Sequence, residues 1–482
     1  MENNLHPDRQ LPIAAAPREI ITSRLFEAYL KCPTKFFLQS ISETGHENSC
    51  ADWVRAQNES YRNAGGKRLV DKYPNGDCVI GPTDSEHLRA AKWKLAVDLV
   101  ARSRILESTI HAVERVPSES QGKAAQFIPI RFVPTNKLAK DDKLMLTFDA
   151  LVLSEVLGQE ITLGRIIHGD DHATLKIMTR SLVSDVRKII GKISALLPDA
   201  VPPNLALNRH CAECEFRDRC RPKAIEKDDL SLISGLPQKE ILKLNKKGIF
   251  SVTQLSHTYR PIRRRSKTKA ADKHSHALKA LAIREKKIYV TETDKPQVGQ
   301  VQVFFDVEGI PDRDFYYLIG AKVVEGTETW THSFWADDRA GEERMWKDFL
   351  TMLSAFESFS LFHFGGYDSD FIARMLKKHG SIPEIQADRL KAGLINVLTY
   401  CYLNIYFPTY SNGLKEIATY LKFQWSSPGS SGLDSIDWRH HWEISKDDSL
   451  KQKLLRYNLD DCEALKILTD ALAASRKLWK LS

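Results

Sequence analysis

Apolar positions along this 482-residue chain switch between two periods, and the switches outline its parts. After Pro296, the runs Val301–Val307, Tyr316–Val324 and Thr329–Trp335 are rich in β-branched and aromatic residues and predict three successive strands. Gly341–Phe356 has helical spacing, Ser360–Phe364 reads as a fourth strand, and a helix is expected to begin near Tyr367. Strands followed by alternating helix and strand predict a mixed α/β sheet flanked by helices. The pattern before Lys227 mixes both periods. Lys92–Ser108, with Leu95, Leu99 and Ile105 or Leu106 on one face, predicts an amphipathic helix. Gln126–Val133 predicts a strand, and Lys143–Glu155 and Leu182–Leu197 predict helices, the second closed by Pro198.

Between these parts, Asp229–His257 predicts two short helices separated by Lys247-Gly248-Ile249, where Gly248 can take the left-handed conformation that ends a helix. A charged helix over His274–Lys287 follows. The expected division is residues 1–227, 228–260, 261–295 and 296–482.

The net charge of +8 is mild, but its placement is uneven. Arg260, Arg263, Arg264, Arg265, Lys267 and Lys269 form a dense basic run. Such a run can neutralise nucleic-acid phosphates, and it equally suits a solvated linker. With no run of eighteen apolar residues, no membrane span is expected, and the polar stretch Met1–Arg18 predicts no signal peptide. A cytoplasmic location is the expectation, where disulfides are disfavoured.

Candidate chemistry begins at the first strand, which ends Phe305-Asp306-Val307-Glu308. Residues two apart on a strand share a face, so Asp306 and Glu308 point the same way. Their mutual repulsion would be relieved by a divalent cation, and hard oxygen ligands suit Mg²⁺ or Mn²⁺. At Phe364-Gly365-Gly366-Tyr367-Asp368-Ser369-Asp370 a strand breaks into a helix, near the strand ends where α/β sheets bind ligands. Asp368 and Asp370 compete for that position, and either could simply cap the helix. In the late helix, Tyr457 and Asp461 lie four apart and share a face, while Asp460 is turned about 100° away.

This order, Asp-x-Glu, then Asp at a strand-to-helix turn, then Tyr-x-x-x-Asp, resembles the tyrosine-bearing DEDD 3′→5′ exonucleases of the RNase H-like fold over roughly Gln297–Leu472. The resemblance implies that Asp306, Glu308, Asp368 and Asp461 hold two divalent ions and that Tyr457 orients the attacking water. Two ions flanking a phosphate stabilise the entering and leaving oxygens of an in-line displacement. Within Tyr406–Ile417, Lys415 could touch a phosphate, although a solvent-facing helix lysine is the plainer expectation. Trp330, Trp335, Tyr367 and Phe371 are candidates for base stacking, with core packing the commoner fate of such residues.

Three cysteines, Cys211, Cys214 and Cys220, lie within ten residues, and Cys32 is available far upstream. Four thiolates suit tetrahedral Zn²⁺ or a [4Fe–4S] cluster, with His210 an alternative zinc ligand. The layout resembles RecB-like nucleases with an iron–sulfur staple, among them AddB and the CRISPR-associated adaptation exonucleases, over about Ile20–Lys227. That resemblance implies a PD-(D/E)XK fold clamped by a structural [4Fe–4S] cluster on Cys32, Cys211, Cys214 and Cys220. The chain departs from the family at its catalytic motifs: Phe127–Val133 carries no Glu-x-Lys, and Met145 and Asp149 stand where the helix should carry Gln and Tyr. This domain is therefore expected to be catalytically degenerate and to bind nucleic acid or a partner. The hairpin over Asp229–His257 resembles a helix-hairpin-helix unit, and a helical spacer fits it as well.

The expected whole is an exonuclease trimming single-stranded DNA 3′ ends in repair, recombination or mobile-element defence. Alternatives are an inactive nucleic-acid-binding scaffold that recruits a helicase or recombination partner, and an exoribonuclease. No phosphate loop of the Gly-x-x-x-x-Gly-Lys-Ser/Thr type is present, so any helicase would be a separate chain.

Overall fold

The structure is a computed structural model that describes residues 20–46, 48–74, 76–81, 88, 92–117, 125–197, 201–260, 274–291 and 298–474. It divides into two compact units, Met1–Cys220 and Arg221–Ser482.

In the first unit, β1 (Ile21–Thr22), β2 (Cys78–Ile80), β3 (Leu95–Arg102), β4 (Leu106–Val116), β5 (Gln126–Val133), β6 (Leu163–His168) and β7 (Ala173–Met178) form one sheet. Its order is β2-β3-β4-β5-β6-β7, with β1 pairing parallel to β4. The helix Lys140–Leu157 is buried along most of its length and ends at Gly158, whose φ of 68° supplies the left-handed cap. Phe148 from this helix stacks on Phe26, with ring centroids 4.5 Å apart.

The segment expected to be a helix over Lys92–Ser108 is instead β3, a turn and the start of β4. The spacing of Leu95 and Leu99 satisfies a period of two as well as one of 3.6. Buried on both faces, β3 presents Leu95, Ala96, Val97, Leu99 and Ala101 without the polar alternation that marks a half-exposed strand.

In the second unit, two short helices, Gln238–Asn245 and Val252–Ser256, flank Gly248, which has φ of 80°. Leu230, Ile233, Leu236, Ile241, Val252 and Leu255 form their core, closed by Ala280 of the helix His276–Glu285. The opposite side of that last helix packs Leu278 and Ala282 on Tyr406. Its Lys279 is 1% exposed and grips one loop, donating to Phe407 O (3.0 Å), Thr409 Oγ1 (3.2 Å), Ser411 O (3.3 Å) and Asn412 Oδ1 (2.7 Å). β8 (Tyr289–Val290) then pairs with the short strand Ile405–Tyr406.

The main sheet of this unit holds β9 (Val301–Ile310), β10 (Phe315–Glu325), β11 (Glu328–Trp335), β12 (Phe359–His363) and β13 (Leu394–Asn396) in the order β11-β10-β9-β12-β13. β10 is antiparallel to both neighbours, whereas β9, β12 and β13 run parallel. β14 (Ile405–Tyr406) is the antiparallel partner of β8. β9 is thus the strand at which the sheet changes direction. Its pairing with β12 stops at Phe304, so residues beyond it project past the neighbouring strand. The strand and helix expectations after Pro296 match these elements closely.

The C-terminal helix, Asp448–Ala474, lies across β9 and β10, burying Leu454, Tyr457, Asn458, Asp461, Cys462 and Leu465. Close approach depends on Gly320 of β10, where a Cβ would overlap the Asn458 amide and meet Cys462 Sγ at 3.3 Å. Gly320→Ala is expected to cost about 1–3 kcal/mol through overpacking. A thermal unfolding midpoint unchanged from wild type would contradict that account.

Candidate metal centre

Three elements deliver acids to one end of β9. Asp306 and Glu308 project from β9 on one face, opposite Gly320 and Leu318 of β10. Asp461 arrives from the C-terminal helix. One oxygen from each of Asp306, Glu308 and Asp461 lies within 4.8 Å of the others. That spacing is slightly wider than the roughly 4 Å across an octahedral Mg²⁺ shell, so a small contraction would seat an ion.

Asp368 comes from the helix Gly366–His379, which starts at the Gly365-Gly366 turn, where Gly365 has φ of 100°. Asn396 of β13 brackets that turn, accepting from Gly365 N (3.1 Å) and donating to Gly365 O (3.0 Å). Asp368 accepts from Phe364 N at 3.3 Å and is 3% exposed, whereas Asp370 is exposed. Of the two acids the sequence left in competition, Asp368 is the buried one, and its carboxylate feels the charges of Asp306 and Asp461. Buried His363 beside it is pushed down to about 4 by burial, so it is neutral at physiological pH.

Neighbours fix the carboxylates. Asn458 Nδ2 donates to Asp306 Oδ2 at 2.7 Å and to its carbonyl at 3.1 Å. Ser435 Oγ donates to Glu308 Oε2 at 2.7 Å. Ser435 sits on the helix Gly432–Ser445, which Arg439 anchors. Arg439 is fully buried among Tyr317, Trp335 and Trp442 at 4.5–4.7 Å, and donates to Ala336 O at 2.9 Å.

Burial raises Asp306 to about 6, and burial with the Asp306 charge raises Glu308 to about 8. Asp368 and Asp461 also lie well above the ordinary carboxylate range, from burial first and Asp306 second. Carboxylates that resist ionising together are a site short of positive charge. Hard oxygen donors at this spacing fit a divalent ion.

Tyr457 is one turn before Asp461, and its hydroxyl accepts from Lys415 Nζ at 2.7 Å. The expectation of a solvent-facing Lys415 is overturned: the side chain is partly buried, over the Tyr457 ring at 4.1 Å from its centroid. Helix packing against an acidic pocket, rather than local pattern, decided its direction. Ser435 and Asn458 also escaped sequence reasoning. Asn458 had a faint signal, three residues before Asp461 and so beside it on the helix. Ser435 had none.

Residues 303–473 match the family RNase_H_2, described as RNase_H superfamily. The C-terminal domain is RNase H-like. Its fold and the acidic group at the end of β9 point to a metal-dependent nuclease and so to nucleic acid as its partner. A comparison with curated proteins gives no match. No helix among the described residues is long and apolar enough to cross a membrane.

In the first unit, Cys32, Cys211, Cys214 and Cys220 all line one cavity of about 610 Å³, with His210. Burial and the other three thiols push Cys220 up to about 11. Lys35 and Gln39 both donate to Glu215 (2.7 and 2.8 Å), and Asn208 Nδ2 donates to Lys31 O (3.1 Å), tying the cysteine loop to the helices around Cys32. Arg260 donates to His257 O and Tyr259 O, both at 3.0 Å. Arg263, Arg264, Arg265, Lys267 and Lys269 lie outside the described residues.

Because Asp306 and Glu308 titrate above their ordinary range, these two carboxyls hold more protons in the metal-free native chain than in the unfolded one, up to about pH 8. The stability this contributes is present at acid pH and lost as pH rises through 6 and 8. Added Mn²⁺ should therefore raise the thermal midpoint more at pH 8 than at pH 6. Scanning calorimetry with and without Mn²⁺ checks this, and an equal gain at both would contradict it.

Proposed function

We propose that the C-terminal domain is a DEDD-type 3′→5′ exonuclease that shortens single-stranded DNA ends. The observation that carries this is the convergence of Asp306 and Glu308 with Asp461, which shares its helix face with Tyr457. In this reading Asp306, Glu308, Asp368 and Asp461 hold two divalent cations, Mg²⁺ or Mn²⁺, which supply charge stabilisation to a phosphoryl group in displacement. Asn458 and Ser435 keep Asp306 and Glu308 from turning away. Tyr457 orients the attacking water.

Preference for a free strand end is supported by Tyr367. It is 36% exposed and sits within the field of Asp306, Glu308 and Asp368, at the rim of the pocket. An exposed ring there suits stacking of a terminal base. Phe371, by contrast, is fully buried, and Trp330 is 38% exposed on β11. An exoribonuclease would use the same residues, so the assay includes RNA.

Asp461→Ala, and separately Asp306→Ala with Glu308→Ala, are expected to abolish Mg²⁺-dependent shortening of 5′-labelled oligonucleotides, while Asp370→Ala retains it. Losing one ligand of such a centre removes several kcal/mol of transition-state stabilisation, roughly a thousandfold or more in rate. Shortening that survives both acidic variants overturns the assignment. If wild type cuts neither DNA nor RNA but binds both, the domain is a scaffold that recruits a partner such as a helicase.

For the first unit, the four cysteines around one cavity support a [4Fe–4S] staple, with Zn²⁺ the other occupant the thiols would accept. Nuclease chemistry there has been replaced by an ion pair. Arg131 on β5 donates twice to Asp149 (3.0 and 3.1 Å), and Ser108 donates to the same carboxylate at 2.6 Å. Anaerobically purified protein should carry iron and a broad visible absorbance that Cys220→Ser abolishes. Zinc without iron would replace this assignment.

A further inference from the structure

Lys415 is the second residue of the helix Leu414–Tyr420, launched from the loop that Lys279 grips. Its ammonium donates to Tyr457 Oη at 2.7 Å and to Ser430 O, and lies 5.4 Å from the centre of the Trp425 ring. Its charge acts on Asp306, Glu308 and Asp461 together, the same three carboxylates that gather within 4.8 Å. Each of the three acts back on Lys415, against the burial that disfavours its charge. Buried cations on long side chains are held at such places only when acids offset their desolvation.

We infer that Lys415 is a resident counter-ion of the acidic pocket, which competes with the divalent cation for the carboxylates and positions the Tyr457 hydroxyl. This rests on the nuclease reading for its catalytic half alone. The geometry of the second role is simple. An ammonium has no lone pair, so the Tyr457 oxygen accepts from Lys415 and the phenolic proton must point elsewhere. That leaves the proton for an acceptor other than Lys415, such as a water or a phosphate oxygen, with the tyrosine held in one rotation. The first role means that the pocket exchanges cations: a lysine partly balances the acids when no metal is bound, and the metal must outbid it electrostatically.

The two roles give opposite signs in one variant. Lys415→Met removes a competing charge and the hydrogen bond to Tyr457 at once. In the full chain it is expected to bind Mn²⁺ more tightly, on the order of tenfold by calorimetric titration. At saturating Mn²⁺, kcat on a labelled oligonucleotide should fall on the order of a hundredfold with KM little changed. Lys415→Arg should restore the wild-type Mn²⁺ affinity, and Tyr457→Phe should leave that affinity unaltered while lowering kcat. A lysine that only braced the fold would weaken metal binding when removed, so unchanged or weaker Mn²⁺ affinity in Lys415→Met overturns the proposal. If Lys415→Met does not fold, judged by its unfolding transition, Lys415→Gln takes its place with the same criteria. Tighter Mn²⁺ binding in a chain whose wild type cleaves nothing upholds the counter-ion and sinks the nuclease reading instead.

Discussion

Like charges held close in a place with little water repel strongly, and the second unit is organised around that fact. Asp306, Glu308, Asp368 and Asp461 would separate if each were free to do so. A rigid scaffold prevents it. β9 stands at the change of strand direction, flanked by β10 and β12, and the C-terminal helix is pressed onto it through the gap at Gly320. Arg439, clamped by aromatic faces, fixes the helix that carries Ser435 to Glu308. The folding energy of a large apolar core, including Trp346, Phe349, Leu350 and Phe371, holds a cluster that electrostatics alone would disperse.

How much of this was legible in the sequence depended on whether the signal was local. Strands β9 to β12 announce themselves through runs of apolar residues, and Asp306 and Glu308 through a spacing of two at a strand end. On pattern alone Asp368 and Asp370 stayed in competition, because which of them is buried turns on which side of one helical turn faces the sheet. The inward turn of Lys415 and the contact of Ser435 were hidden for the same reason: each is fixed by a partner far away in sequence, Tyr457 and Glu308. The failure at Lys92–Ser108 was different in kind. There the pattern was present but ambiguous, since a spacing of four serves either period, and a strand buried on both faces lacks the regular polar alternation that would have decided it.

The first unit buries a charge pair of its own. Arg131 and Asp149 form a hydrogen-bonded pair, to which Ser108 adds a third donor. The four cysteines lie apart from it, around their own cavity, where helices from both ends of the unit meet.

The grip of Lys279 on the loop Phe407–Asn412 bears on how the molecule can be cut. A fragment beginning at Gln297 would contain every carboxylate yet lack that lysine, Leu278, Ala282 and the strand that completes β14. It would expose Tyr406 and take the ammonium from four oxygens, of which Ser411 O keeps the Thr409 hydroxyl. Dissection at the apparent start of the sheet would thus yield a weakened domain, and the excisable piece has to begin upstream of His274.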